Sequence, residues 1–257
     1  MFEFDPFPLA LALAAIAVIA AVLSNRLSAW IRVPAPALFL IAASLLATAF
    51  PVLRGVPRVI DENVVTVALI FILFDGGMHI GWRRFRASAG PIAWLGLAGT
   101  AVTAVAIAVA AHFAIGLDWM PSLLLGAALA PTDPAVVFSV LGKREISGRS
   151  GTILEGESGA NDPVGIAIVV SLLAATGSGL DAIGTGVGEF LLQMVVGAVV
   201  GLGGGWLLSR LLRRISLPNE SLHAIWTLAC AVLLYGVAAV LHGSGFLAVL
   251  LAGILVG

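Results

Sequence analysis

Asp162 lies at the entrance to a long apolar run, within Leu154-Glu155-Gly156-Glu157-Ser158-Gly159-Ala160-Asn161-Asp162-Pro163. Residues four apart share one face of a helix. Ser158 therefore aligns with Asp162, and Glu157 with Asn161, in adjacent columns. Pro163 has no amide hydrogen, so the carbonyl of Gly159 loses its usual helical donor. Carboxylate, amide oxygen, hydroxyl and freed carbonyl make an all-oxygen set, which hard cations prefer. No His or Cys is interleaved, which argues against zinc. The plainer reading is an amphipathic helix start with Glu155 and Glu157 at an interface. That reading suits Glu155 and does not suit Asp162.

A second polar group interrupts the run Pro121-SLLLGAALA-Pro131-Thr132-Asp133-Pro134-AVVFSVL-Gly142. Each proline lacks a donor and clashes with the carbonyl four residues back. Two of them around Thr132-Asp133 predict a break in the helix. The alternative is a simple kink with both polar side chains facing a neighbour. A third group, Phe74-Asp75-Gly76-Gly77-Met78-His79, offers Asp75 either as an acid facing a cavity or as an interfacial cap. His79 adjoins a basic stretch and reads as interfacial.

These groups need elements to hold them, and the composition says which kind. Of 257 residues, 60% are hydrophobic and 11% charged, against roughly 45–50% and 25% in ordinary soluble domains. The mean hydropathy is +1.12. A soluble enzyme, a disordered chain and a nucleic-acid binder are excluded, the last for want of basic excess. The single cysteine, Cys230, excludes a disulfide framework. The expectation is an all-α polytopic membrane protein with spans at 7–23, 34–50, 64–80, 91–115, 122–141, 155–176, 186–208 and 221–242, each near the roughly 20 residues a crossing needs. A ninth apolar run starts at Gly245 and reaches Gly257, too short to cross, so the chain reads as a truncated sequence. The first span is not read as a signal peptide, because Glu3 and Asp5 precede it without a cation and no small-residue cleavage site follows.

The cations support this count. Arg26, Arg32, Arg83, Arg84, Arg86, Lys143, Arg144, Arg149, Arg210, Arg213 and Arg214 fall in the loops after odd spans, and only Arg54 and Arg58 fall on the other side. Excess Lys and Arg mark the cytoplasmic face, which puts the N-terminus outside. Trp82 and Trp119 sit near span ends, as interfacial aromatics do. Asp133, Glu157 and Asp162 are the acids placed deep in spans, where charge is costly and function is the default reading. Gly197, Gly201 and Gly205, spaced by four, form a helix-packing face. His223, Tyr235 and His242 near the ends of span 8 receive no role.

Taken together, Phe74-Asp75-Gly76-Gly77, Ala130-Pro131-Thr132-Asp133-Pro134-Ala135 and the Leu154–Pro163 segment resemble the monovalent cation:proton antiporter-1 family. That family includes bacterial sodium/proton and potassium/proton antiporters and animal sodium/hydrogen exchangers. Gly243-Ser244-Gly245-Phe246-Leu247-Ala248 is similar to a further family segment, and the likeness runs from span 1 to the end. The resemblance implies an inverted-repeat fold, thirteen helices in the complete protein, and a dimerisation domain beside a moving core. It assigns 1–176 to a first repeat, 177–220 to a linker span and basic loop, and 221–257 to the start of a second repeat. It matches Asp162 to the carboxylate that carries cation or proton, and Asn161 to its partner in electroneutral members. Thr132, Ser158 and Glu157 match residues lining the site, Asp133 the acid of the unwound helix, and Asp75 an accessory acid. The second unwound helix is absent, so the 257 residues are not expected to transport alone.

The expected function is exchange of K+ or Na+ for H+ across the cell membrane, with no enzyme activity and no cofactor. The expected partners are the bilayer and a second copy in the complete protein, and not nucleic acid. The glycine after Ser158 and the proline after Asp162 look closer to the potassium/proton members. Two rival readings remain. Gly156-Glu157-Ser158-Gly159 also fits the Gly-x-Ser-Gly pattern of rhomboid-type proteases, with Ser158 as nucleophile and His242 as base. A non-transporting membrane sensor or scaffold could use the same helices.

Overall fold

The computed structural model describes residues 15–16, 19–20, 35–49, 58–133, 148–175, 180–215 and 219–257. Most of span 1, the second half of span 5, Pro134 and Lys143–Arg144 lie outside them. The chain divides into two units, 1–60 with 135–146, and 61–134 with 147–257. In the first unit, α1 (Ala35–Ala49) is an unbroken apolar helix over the expected span 2, with Thr48 Oγ1 donating to the Ser44 carbonyl at 2.8 Å.

The second unit carries the site. Its helices are α2 (Arg58–Trp94), α3 (Thr100–Ala110), α4 (Trp119–Leu129), α5 (Arg149–Ala174), α6 (Leu180–Leu212), α7 (Glu220–Val240) and α8 (Gly245–Val256). Among the described residues, Arg58–Ile115, Asp181–Leu212 and Ser221–Val240 are long and apolar enough to cross a membrane. The first of these is two spans. Gly81 breaks it with φ 68° and ψ 154°, a left-handed backbone that glycine adopts without a Cβ clash. The sequence reading put a loop at Arg83, Arg84 and Arg86. Helix resumes directly after Gly81 instead, because the arginines occupy the exposed face of a helical segment. The second span then runs past Pro91 and through π-helical turns at Leu95–Gly99 and Ala111–Ile115.

Helix α8 is the centre of the unit. Ile70, Leu73, Phe74 and Ile80 of α2 join Leu208 of α6, Ala231 of α7 and Val249, Leu250 and Ile254 of α8 in one buried cluster. The glycine face expected on span 7 is used here. A Cβ on Gly197 or Gly201 would stand 2.6 Å from the carbonyl oxygen of Ser244 or Ala248, and one on Gly205 would stand 2.6 Å from Ala252 Cα. Both series climb by four, so α6 and α8 run in the same direction. A Cβ on Gly77 would lie 2.5 Å from the Leu250 carbonyl oxygen, bringing the first half of α2 equally close to α8. The ends of these three elements meet at one cavity lined by Arg83, Arg84, Ser209, Arg213 and Gly257. The arginine-rich ends of spans 3 and 7 therefore share a face, as the charge alternation requires.

Candidate functional site

The broken helix is present on its described side. Helix α4 stops at Leu129, and Ala130–Asp133 are not helical. Eleven residues of α4 rise about 16 Å, half of a roughly 30 Å hydrocarbon layer. Pro131 explains where the freed segment goes. Its ring packs on α5 at Gly165, where a Cβ would be 2.6 Å from Pro131 Cγ. This contact presses Thr132 against the third and fourth turns of α5.

Helix α5 begins at Arg149, so Glu157 and Asp162 lie well inside it and not at its start. The expected column pairing of Glu157 and Asn161 is formed, with Asn161 Nδ2 donating to Glu157 Oε1 at 2.9 Å. The same nitrogen donates to Thr132 Oγ1 at 2.9 Å and approaches the Thr132 carbonyl at 3.4 Å. Thr132 Oγ1 in turn donates to Glu157 Oε1 at 3.3 Å. The triangle ties the broken segment to α5. Asn161 is 0% exposed, yet its Oδ1 has no hydrogen-bond partner. An unmatched buried carbonyl oxygen costs about 1–3 kcal/mol. It is also a ready ligand for a cation or for a protonated carboxyl.

Asp162 is half-buried beside this triangle, and the carboxylates of Asp133 and Glu157 are the charges that bear on it. The negative charges of Asp133 and Glu157, with the neutral oxygens of Thr132 and Asn161 nearby, make the surroundings of Asp162 attractive to a cation. Ser158 stands one turn before Asp162 on the same helix face. Buttressing comes from the neighbouring span. A Cβ on Gly96 would meet Ala160 Cβ at 2.8 Å, and one on Gly156 would meet Ile92 Cδ1 at 2.5 Å. Gly96 belongs to the π-helical turn Leu95–Gly99, so that irregularity lies against the site helix one residue from Asn161. Such turns often mark functional regions, and the sequence carried no signal for this one beyond Pro91.

Asp75 is placed differently. It is 63% exposed, and its Oδ2 lies 3.4 Å from His79 Nδ1, a contact within one helix turn. His242 lines a cavity with Ile166 and Val170 of α5. Ile166 is eight residues past Ser158, about 12 Å along the axis, and no contact between Ser158 and His242 joins them as nucleophile and base. Among the described residues, no three of His, Cys, Asp and Glu gather into a group that could hold a metal ion.

Apolar helices long enough to cross a membrane, and one broken at half length with carboxylates and neutral oxygens at its broken end, are the architecture of a membrane transport protein. The chain belongs to the sodium/hydrogen exchanger transmembrane family, whose model matches residues 12–257. It is 34% identical over 250 residues to the K+/H+ antiporter NhaP of Alkalimonas amylolytica, covering 94% of this chain and 42% of that protein. It is 38% identical over 197 residues to the K+/H+ antiporter NhaP2 of Shewanella oneidensis, covering 76% and 34%. Its fold matches the sodium proton antiporter MjNhaP1 of Methanocaldococcus jannaschii with a TM-score of 0.78 at 20% identity, over 97% of this chain and 62% of that one. The chain thus spans about two fifths or less of the length of these curated relatives. Membership of a transporter family sets aside the protease reading.

Proposed function

We propose that this sequence carries the ion site of an antiporter that exchanges K+ or Na+ for H+ through Asp162. The observation behind this reading is the Asn161–Thr132–Glu157 triangle, which ties a broken helix to the Asp162 helix and leaves a buried oxygen unmatched. One carboxylate can hold either a cation or a proton. Cation binding favours the ionised form, and protonation removes the charge that holds the cation. Exchange then follows if the empty, ionised site does not reorient, and an unpaired charge in low dielectric is costly to move. Thr132, Ser158 and Asp162 contribute oxygens to the cation, Asn161 and Glu157 position Thr132, and Asp133 adds negative charge. Asp75 is an accessory acid at most.

In this reading 1–176 is the first inverted repeat, 177–220 a linker span, and 221–257 the opening of the second. One domain moves against another to alternate access, the complete protein is a homodimer, and the arginine-rich face is cytoplasmic. One proton exchanges for one cation, so turnover is electroneutral. K+ is favoured over Na+ by the residues after Ser158 and Asp162 and by the two K+/H+ antiporters at 34–38% identity.

The test is Asp162→Asn in a full-length transporter carrying this sequence. Asparagine keeps size and hydrogen bonding but cannot ionise. Dissipation of a pH gradient in proteoliposomes on adding K+ or Na+ is expected to vanish, with insertion unchanged. Exchange at near wild-type rate would remove Asp162 as the carrier.

A further inference from the structure

Glu189 is a carboxylate that neither the family motifs nor the triangle uses. It lies ten residues into α6, a helix of 33 residues. Such a helix is about 50 Å long, longer than a roughly 30 Å hydrocarbon layer, and Glu189 lies one turn beyond Gln193, on the side away from the arginine-rich end. Glu189 is half-buried, and Gln193 Nε2 donates to its Oε1 at 3.4 Å. Gln193 is itself 7% exposed, and its main-chain carbonyl accepts from Ser244 N at 2.9 Å, which fixes the turn between α7 and α8. That turn is unusual. His242 has φ 59° in the left-handed position that glycine ordinarily fills, while Gly243 N donates to the Ala238 carbonyl at 2.8 Å and His242 N to that of Ala239 at 3.1 Å.

The turn puts His242 on the wall of a cavity of about 240 Å³ that Glu189, Gln193 and Tyr235 also line. The opposite wall is Ile166 and Val170 of α5. These two residues are four and eight positions past Asp162, on the same helix face and about 6 and 12 Å along it. The cavity therefore continues the Asp162 face toward the membrane side away from the arginine-rich ends. Packing against Phe246 accounts for Tyr235, and the helix end accounts for His242, but neither accounts for a carboxylate on the wall of this opening beside the buried amide of Gln193.

We propose that this cavity is a vestibule on the cation-poor side, in which Glu189 forms an accessory site for a monovalent cation on its way to and from Asp162. Its functional consequence rests on the exchange reading above, but its existence does not. Two measurements on the full-length protein, cleared of Cys230 and any other cysteine, test it. The first introduces Val170→Cys and compares labelling by cationic and anionic membrane-impermeant thiol reagents from each face. Labelling is expected only from the cation-poor face, with a preference for the cationic reagent that falls at least threefold when Glu189→Gln is added. The second measures exchange with the cation presented to one face at a time. Glu189→Gln is expected to raise KM at least threefold at the cation-poor face and to leave KM at the arginine-rich face as it was. An unlabelled Val170→Cys, a reagent preference indifferent to Glu189→Gln, or equal KM values at the cation-poor face would each overturn the vestibule. Absence of exchange in every variant would count against the exchange reading, and the labelling ratio would still decide this one.

Discussion

Asn161 uses its amide nitrogen to hold Thr132 and Glu157 at 2.9 Å each. A hydroxyl at position 132 is central to this, since it accepts from Asn161 and donates to Glu157. Thr132→Val keeps the shape and removes both bonds. A hydrogen bond contributes about 0.5–1.5 kcal/mol net, so the variant should melt at lower temperature. Exchange should fall at least tenfold, equivalent to ~1.4 kcal/mol of barrier, because Asn161 then holds the broken segment beside Asp162 only through its 3.4 Å contact with the carbonyl of residue 132. Thr132→Ser restores the hydroxyl and should recover most of the flux. Parallel thermal melts and proteoliposome flux on the three proteins check this, and Thr132→Val with wild-type flux would make the triangle structural only.

Among the elements, the broken helix and the helix beside it matter most. Replacing Pro131 and Pro134 with Ala removes two breakers, each costing ~3 kcal/mol in a helix interior. The expected outcome is a more continuous span 5, undiminished insertion and exchange reduced at least tenfold, read by thermal shift and flux on one preparation. Unchanged flux would reduce the prolines to kinks. The break itself was legible in the sequence, because two residues without amide hydrogens flank a polar pair. The Glu157–Asn161 bond was legible for the same local reason, since spacing by four decides it. Contact between Thr132 and α5 was not, because it depends on the Pro131 ring seated at Gly165, far apart along the chain. The arginines at 83, 84 and 86 misled for another reason: a charged exposed helix face and a loop look alike when the only break is one glycine. Glu189 was overlooked because span 7 was expected to begin at 186. A span starting there keeps this acid at its end, and the cavity it lines depends on the Ser244–Gln193 bond between residues far apart along the chain.

At the scale of the whole molecule, direction and charge govern what can move. Helices α6 and α8 run the same way, and α5 runs against α8, since Gly159 faces Leu250 while Ile166 lies near Phe246. Asp162 thus sits between a face rich in arginine and a face nearly without it. If Asp162 alone titrates during turnover, with Asn161 neutral beside it, the loaded site carries the same charge whether it holds a cation or a proton. A membrane potential then does no net work on the cycle. One elementary charge moved across 100 mV is worth ~2.3 kcal/mol, so even one uncompensated charge per turnover would be plain in the rates. The measurement is exchange in proteoliposomes clamped at opposite potentials, with equal cation gradients. Equal rates at both polarities are expected. A rate that rises with one polarity and reverses at a two-proton stoichiometry would require a second carboxylate to titrate in the cycle, and Glu157 and Asp133, whose charges already bear on Asp162, would be the groups to neutralise next.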